Sequence, residues 1–181
     1  SDCQATASLT NASQTLPDED KGRYDGELQD GRKHGEGKYE YPDGSCYTGQ
    51  WKKGEREGFG VCQYSEKSKY EGEWSKDKKH GKGIMYYEDG TIYEGEWKYD
   101  DRDGKGKCIF ADGGKYDGQW KNDKMHGHGV FEYEDKSNYE GEWKFGDRYG
   151  LGTMYYSDGG KYVGEWKYDR RHGVGTHFYV D

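Results

Sequence analysis

The chain has 181 residues, 35% of them charged, and a formal net charge of −8. Leu, Ile, Val and Phe together supply only 17 residues, which excludes an ordinary aliphatic core and by composition alone would class the chain as disordered. The negative charge disfavours binding to anionic lipid headgroups, and no stretch has the roughly 20 apolar residues of a membrane-spanning helix. Any core must come from the 19 tyrosines and 6 tryptophans, each of which can bury on the order of 150–250 Å².

Residues 1–20 contain no aromatic residue, no regular pattern and no signal peptide. We expect this segment to be a disordered N-terminal tail and the protein to be soluble and cytoplasmic. The four cysteines fit a reducing compartment. Cys62 and Cys108 occupy the same place two repeats apart, and we interpret them as small hydrophobic residues, not as metal ligands or disulfide partners.

From residue 21 to residue 181 one pattern, Tyr-x-Gly-x-Trp followed by Gly-x-Gly, occurs seven times at a constant interval. A constant period in the range of about 20–50 residues predicts an array of one supersecondary unit. The repeated tyrosines are Tyr24, Tyr47, Tyr70, Tyr93, Tyr116, Tyr139 and Tyr162. The residues four positions later are Leu28, Trp51, Trp74, Trp97, Trp120, Trp143 and Trp166.

Each repeat is predicted to be a β-hairpin. Its key residues are spaced two apart in two short runs, and such residues share one face of a strand. In the second repeat they are Tyr47, Gly49 and Trp51, then Gly58, Gly60, Cys62 and Tyr64. Asp-Gly pairs link four of the repeats to the next, and Asp-Gly favours a hairpin turn. We expect the glycines to lie on the aromatic face, where a Gly58→Val substitution would displace Trp51.

The motifs YTGQW, YEGEW, YDGQW and YVGEW, with the downstream motifs HGEG, HGKG, HGHG and HGVG, resemble membrane occupation and recognition nexus (MORN) repeats. The resemblance covers residues 21–181, which is nearly all of the chain. It implies antiparallel hairpins placed side by side in a sheet, and repeats that mediate interactions and do not catalyse a reaction. The fold prediction is therefore an all-β chain with one elongated antiparallel sheet of seven 23-residue hairpin repeats.

No candidate site for catalysis, a metal or a cofactor emerges, and we predict that the protein is not an enzyme. His34, His80, His126 and His172 recur in alternate repeats, but strand spacing separates neighbours by about 19 Å, too far to share a metal. We interpret them as polar residues closing the hairpin turn. The Gly-x-Gly pairs precede no helix whose N-terminus could hold phosphate. The repeats leave no room for a catalytic domain.

The candidate site is a protein-docking surface, and the aromatic groove is the first choice. Its predicted residues are Tyr41, Trp51, Tyr64, Trp74, Tyr87, Trp97, Trp120, Tyr133, Trp143, Tyr156, Trp166, Phe178 and Tyr179. The last two belong to a C-terminal edge strand through which the chain could also associate. Nucleic acid is disfavoured as a partner, because the aromatic rings needed for base stacking are used in the core.

Charged side chains form a second candidate surface. Acidic residues follow the tyrosine and its glycine on the face opposite the aromatic rings, and basic residues gather at the hairpin tips. The acidic set is Asp25, Glu27, Glu71, Glu73, Glu94, Glu96, Asp117, Glu140, Glu142 and Glu165, and the basic set includes Lys33, Arg56, Lys79, Arg102, Arg148 and Arg171. Two interpretations stay open: a solvated face that prevents aggregation, or surfaces that dock different partners.

Three functional hypotheses follow. The first is a structural scaffold in a cytoskeletal assembly, and the resemblance to all-repeat MORN proteins points to the ciliary or flagellar axoneme and its radial spoke head. The second is a small adaptor that holds a peptide or helix of one partner, such as a motor-protein tail, in its groove. The third is peripheral binding to phosphoinositide membranes, which the net charge disfavours.

Overall fold

The computed structural model describes residues 22–180 and the backbone of residues 14–17. Fifteen strands are described. They are β1 Gln14–Pro17, β2 Arg23–Gln29, β3 Arg32–Glu40, β4 Cys46–Lys52, β5 Glu55–Gln63, β6 Lys69–Ser75, β7 Lys78–Tyr86, β8 Ile92–Lys98, β9 Asp101–Ile109, β10 Lys115–Lys121, β11 Lys124–Glu132, β12 Asn138–Lys144, β13 Asp147–Tyr155, β14 Lys161–Lys167 and β15 Arg170–Phe178. The described part of the chain contains no helix.

The predicted fold class is confirmed. The strands follow one another in a single antiparallel sheet in the order in which they occur in the chain. Each repeat supplies one seven-residue and one nine-residue strand, from β2 and β3 to β14 and β15. By its internal contacts the chain divides into two units, the first reaching Gly90 and including Trp97–Asp100, the second made of Thr91–Glu96 and the residues from Asp101 onward.

The backbone conformation of the hairpin tips allows the chain to reverse direction within two residues. In the fifth repeat Asn122 and Asp123 both have positive φ angles, of 46° and 64°. Two such residues form the turn that matches the right-handed twist of an antiparallel pair. The links between repeats are tied differently: in the first link Gly44 N donates to Tyr41 O, and Asp43 Oδ1 accepts from Ser45 N.

The core is a row of tyrosines and tryptophans on one face of the sheet, which we call the aromatic face. The seven repeated tyrosines are 0–6% exposed and the six tryptophans 3–5% exposed. Cys62, Met85, Cys108 and Met154 are buried beside them. The aromatic core predicted in place of an aliphatic one is therefore present.

Two glycines per repeat make room for the tyrosine ring. In the fifth repeat Gly118 and Gly129 face each other on β10 and β11. A Cβ atom at Gly129 would stand 2.6 Å from Tyr116 Cε2, and one at Gly118 would stand 2.6 Å from Gly129 Cα. The ring thus lies against bare backbone, and the Tyr116 hydroxyl donates to the Gln119 carbonyl at 2.9 Å.

Gly58, the third recurring glycine, has a different role from the predicted one. Its φ angle is +67°, and a Cβ atom there would collide with the side chain of Gln50, not with Trp51. It lies in a β-bulge, where the register between β4 and β5 shifts after Gly49. The prediction that a substitution at Gly58 displaces Trp51 is therefore wrong, because this glycine serves the backbone conformation of the bulge.

Part of the segment expected to be disordered forms a strand. Residues Gln14–Pro17 pair antiparallel with β2, from Gln14 opposite Gly26 to Pro17 opposite Arg23. The first strand of the array would otherwise leave a row of backbone N–H and C=O groups without partners, and such an edge attracts another strand. The rest of residues 1–20 lies outside the described residues, and for it disorder stays a prediction.

A Gly129→Ala substitution is expected to destabilise the protein by about 3 kcal/mol, because the new methyl group must displace the Tyr116 ring or the backbone. Melting followed by tryptophan fluorescence measures the effect. Gly114→Ala is the matched control: its Cβ would lie no closer than 3.0 Å to the Phe131 ring and 3.2 Å to Asp112 Oδ1, and other repeats carry Ser45, Ser68 or Ser137 at this position. Equal losses of stability in the two variants would contradict the account.

Candidate functional site

The six tryptophans of the predicted site form the floor of the aromatic face. Each indole Nε1 donates to the carbonyl of a glycine 14 residues earlier, in the preceding repeat, as Trp143 does to Gly129 at 3.1 Å. The equivalent bonds from Trp51, Trp74, Trp97, Trp120 and Trp166 measure 3.1–3.2 Å. The tryptophans therefore join neighbouring repeats and have almost no surface to offer to a partner.

Edge-to-face ring contacts strengthen the same connection. The Trp143 ring lies 5.1 Å from Tyr139 in its own repeat and 5.4 Å from Tyr116 in the preceding repeat, with interplanar angles of 90° and 84°. Contacts of this geometry contribute about 0.5–1.5 kcal/mol each beyond the area they bury. The pattern recurs in the other repeats, for example between Tyr47 and Trp74.

Beside the buried core, the aromatic face carries a second row of aromatic residues, one just after the second strand of each repeat, and these are more accessible than the tryptophans. We call them the rung row. It comprises Tyr41, Tyr64, Tyr87, Phe110, Tyr133, Tyr156 and Tyr179. Most are half-buried, Tyr64 is 41% exposed and Tyr179 is 82% exposed. All but Phe110 belong to the predicted site, and Phe110 is added by its equivalent position.

Phe178, also predicted as a site residue, faces away from the rung row. It pairs with Lys161 in the register of β14 and β15, whereas the core residue Tyr162 pairs with His177. Alternate residues of a strand point to opposite faces, so Phe178 lies on the face opposite the rings. Association through the β15 edge stays a prediction.

Three of the basic residues predicted at the hairpin tips pack against the tryptophans of the aromatic face. The guanidinium groups of Arg56, Arg102 and Arg148 lie 4.2–4.6 Å from the ring centroids of Trp74, Trp120 and Trp166. Their Nε atoms lie 3.0–3.1 Å from Asp77, Asp123 and Asp169. Sequence reasoning missed these pairs. The available signal was the recurrence of an arginine at the same place in repeats two, four and six, with an aspartate two positions before that place in the repeat that follows.

Much of the predicted acidic surface also has a structural role. The carboxylate of Glu73 accepts from Lys82 N at 3.0 Å and that of Glu142 from Leu151 N at 3.1 Å. The amide side chain of Gln119 accepts in the same way from His128 N. These side chains satisfy the backbone of the bulge. Glu94, Asp117 and Glu140, at the alternate position, are exposed.

Three of the alternating histidines, His34, His80 and His126, lie beside the hairpin tip of the following repeat. Lys53 N donates to His34 Nδ1 at 3.5 Å, and the His80 ring lies 5.4 Å from the Tyr99 ring. Within residues 22–180 no three His, Cys, Asp or Glu side chains are grouped so that they could hold a metal ion. Among the described residues no helix is long and apolar enough to span a membrane.

The cysteines are not all equivalent. Cys62 and Cys108 are buried thiols outside any disulfide, and burial raises the pKa of the Cys62 thiol, which fits the prediction that they pack as small hydrophobic residues. Cys46 is disulfide-bonded. That bond differs from the expectation of four thiols in a reducing compartment.

Two shallow depressions open on the aromatic face of the second unit. One, of about 550 Å³, is lined by Phe131, Tyr133, Met154 and Arg148, together with acidic residues of the links. The other, of about 450 Å³, is lined by Met154, Tyr156 and Trp166, together with Asp169 and three arginines. Arg148 and Met154 line both depressions, and a rung tyrosine lines each of them.

These features define a β-hairpin repeat protein with an aromatic face. Residues 24–46, 47–69, 70–92, 93–115, 116–137, 139–161 and 162–181 each match the MORN repeat. The chain belongs to the MORN repeat family, as the sequence motifs predicted.

Comparison with curated proteins finds no match. Among solved structures, the chain is similar to the TCP domain of SAS-4 (dCPAP) from Drosophila melanogaster, solved with a proline-rich motif of Ana2 (dSTIL). The identity is 14%, the coverage 90% of this chain and 84% of that chain, and the TM-score 0.46. The TCP10 domain of Danio rerio CPAP with a STIL peptide gives 13% identity, coverage of 87% and 81%, and a TM-score of 0.34.

Raising the pH is expected to unfold the protein between about pH 10 and pH 12. Burial raises the pKa of the Tyr24 phenol to about 12 and raises the pKa of Tyr47, Tyr70, Tyr116 and Tyr139. An unfolded tyrosine ionises near pH 10, so the stability that comes from keeping these phenols neutral is full below about pH 10 and lost as the pH rises through the folded values.

Tyrosinate absorbance and far-ultraviolet circular dichroism, recorded on the same samples, measure this transition. The two signals should change together for the core tyrosines. Ionisation of nearly all tyrosines near pH 10 with an unchanged dichroism spectrum would contradict the burial of these phenols.

Proposed function

We propose that this protein is a non-enzymatic scaffold that docks other proteins on its aromatic face. One observation carries the proposal. The residues of the repeated motif (tyrosine, tryptophan, glycine and glutamate) hold the repeats together. The rung row lies on the same face and is only half-buried. Rows of partly exposed aromatic residues beside arginines are typical of the residues that contribute most to protein–protein binding.

The more specific proposal is a cytoskeletal assembly, and within it the ciliary or flagellar axoneme and its radial spoke head. It is supported by the sequence resemblance to MORN proteins that consist of repeats, and it includes a cytoplasmic location at the cytoskeleton. Localisation of the tagged full chain in ciliated cells tests it. A signal confined to a compartment other than the axoneme or cytoplasm would contradict it.

An adaptor that binds one peptide or helix is the second candidate. The two depressions beside Tyr133 and Tyr156 favour it, since their volumes of about 450 and 550 Å³ fall within the range of about 300–1,000 Å³ typical of ligand-binding clefts. Binding to phosphoinositide membranes is the third. The net charge of −8 disfavours it, and flotation with phosphoinositide vesicles would separate it from the other two.

Affinity capture with the immobilised full chain tests the docking face. We expect the Tyr133→Ala, Tyr156→Ala double variant to recover at least about fivefold less of its protein partners than wild type, because about 1 kcal/mol or more is lost at central aromatic contacts. Quantitative mass spectrometry gives the ratio. Recovery of several assembly components supports a scaffold, and recovery of one partner supports an adaptor.

The matched control reverses charge on the opposite face, with Glu94→Lys and Glu140→Lys, where both side chains are exposed. This variant should fold and retain the partners. Loss of the partners in the control, together with full recovery by the tyrosine variant, would show that the acidic face is the docking surface and would contradict the proposal.

A further inference from the structure

We propose that the rung row of the second unit binds a proline-rich, basic segment of a partner protein in the polyproline II conformation. This inference rests on the proposed function and specifies its partner. The rungs concerned are Phe110, Tyr133, Tyr156 and Tyr179, which occupy the same place in four successive repeats.

The spacing of the rungs matches the repeat of a polyproline II helix. Successive rungs are two strands apart, and strands are spaced by about 4.8 Å, so the rung spacing is about 9.6 Å. The ring of Phe131 lies between two rungs, 5.6 Å from Phe110 and 4.6 Å from Tyr133, in keeping with that value. A polyproline II helix has three residues per turn and rises about 3.1 Å per residue, which gives a repeat of about 9.3 Å. One residue in three of such a segment therefore meets a rung, and the mismatch over three intervals is only about 1 Å.

Other peptide conformations fit this spacing less well. A β-strand rises about 9.9 Å in three residues, but its side chains alternate with a period of two, so residues three apart point to opposite faces. An α-helix returns to the same face after seven residues, about 10.5 Å, and over three intervals falls out of step by nearly 3 Å. Polyproline II is the conformation that matches the spacing and presents every contact residue to one side.

The surface between the rungs suits proline rings. His177 fills the interval between Tyr156 and Tyr179, with ring centroids 5.4 Å and 4.2 Å away. Between Tyr133 and Tyr156 the equivalent residue is Met154, which lines both depressions, the larger beside Tyr133 and the smaller beside Tyr156. Aromatic walls over an apolar floor are the environment in which proline-rich segments dock, and their preformed backbone loses little entropy on binding.

Hydrogen-bond donors are available for the peptide backbone. The phenol oxygens of Tyr133 and Tyr156 make no hydrogen bond within residues 22–180, and both rings are half-buried. A polyproline II segment has no internal hydrogen bonds, so its carbonyl groups are free to accept. The two hydroxyl groups can thus fix the register of the bound segment.

Acidic side chains beside the rungs favour basic residues in the partner segment. Asp112, Glu134 and Asp135 line the larger depression at the links between repeats. Hydrogen bonds from the Ser137 hydroxyl and amide lower the pKa of Asp135 and keep it ionised. The nearby cation Arg148 is already paired with Asp169 at 3.0 Å. Lysine or arginine between the prolines therefore complements the acidic end of the row beside Tyr133. Arg170 and Arg171 line the depression beside Tyr156, and over that end the segment is expected to carry neutral residues.

Fluorescence anisotropy with the full chain tests the inference. The probe is a fluorescein-labelled 13-residue peptide with three lysines and four prolines, one at every third position. The control peptide has the same composition with a proline at every fourth position. We expect the first peptide to bind at least about tenfold more tightly, since loss of register removes about 1.4 kcal/mol or more.

Variants of the protein identify the site. Tyr133→Ala combined with Tyr156→Ala should weaken binding of the first peptide at least about tenfold, and Tyr133→Phe, which keeps the ring and removes the hydroxyl, by about fivefold. Tyr168→Ala is the control, because this exposed tyrosine at a hairpin tip lines neither depression. Far-ultraviolet circular dichroism and the melting temperature of each variant confirm that it is folded.

Equal binding of the two peptides, binding unaffected by the rung substitutions, or no binding of the first peptide up to about 1 mM would overturn the inference. The proposed function can fail separately. If the rung variant loses its captured protein partners while the first peptide neither binds nor competes with them, the docking face stands and the proline-rich partner is wrong.

Discussion

The fold depends on one contact repeated along the chain: a tyrosine ring packed against two facing glycines. Because the ring touches bare backbone, as Tyr116 does at Gly118 and Gly129, it can bury almost completely in a sheet only one layer thick. The next tryptophan then reaches the carbonyl of the second glycine and the edge of the same tyrosine. Each repeat is thus completed by the one that follows, as expected for an array whose units are unstable alone.

This arrangement separates residues that hold the sheet together from residues that remain available. The recurring aromatic and glycine positions, the glutamates that satisfy the bulge, and the arginines that cover the tryptophans are all engaged within the protein. What remains on the aromatic face is the rung row, with a spacing set by the strands themselves. In a single-layer sheet the rungs are therefore about 9.6 Å apart. A ligand whose own repeat matches this spacing can contact several rungs at once.

The fold was predictable because every repeat carries the same signals at the same positions. The constant repeat length, the alternation of key residues and the Asp-Gly links specify the hairpins and the buried face. The predicted role of Gly58 was wrong, since spacing alone does not distinguish a glycine under a ring from one with positive φ. The site was harder to predict. Trp143 and its equivalents share a face with the rungs, so alternation alone does not show that they are buried. The pairing of Arg148 with Asp169 joins residues of different repeats, which spacing within one repeat does not reveal.

A double-mutant cycle between Tyr116 and Trp143 tests the central contact most directly. The two residues lie in adjacent repeats, with ring centroids 5.4 Å apart. The free energies of unfolding of wild type, Tyr116→Leu, Trp143→Phe and the double variant give their coupling energy. The account predicts about 1 kcal/mol, and a value near zero for the same cycle between Tyr116 and Trp166, two repeats apart. Equal coupling energies for the two pairs would contradict the account.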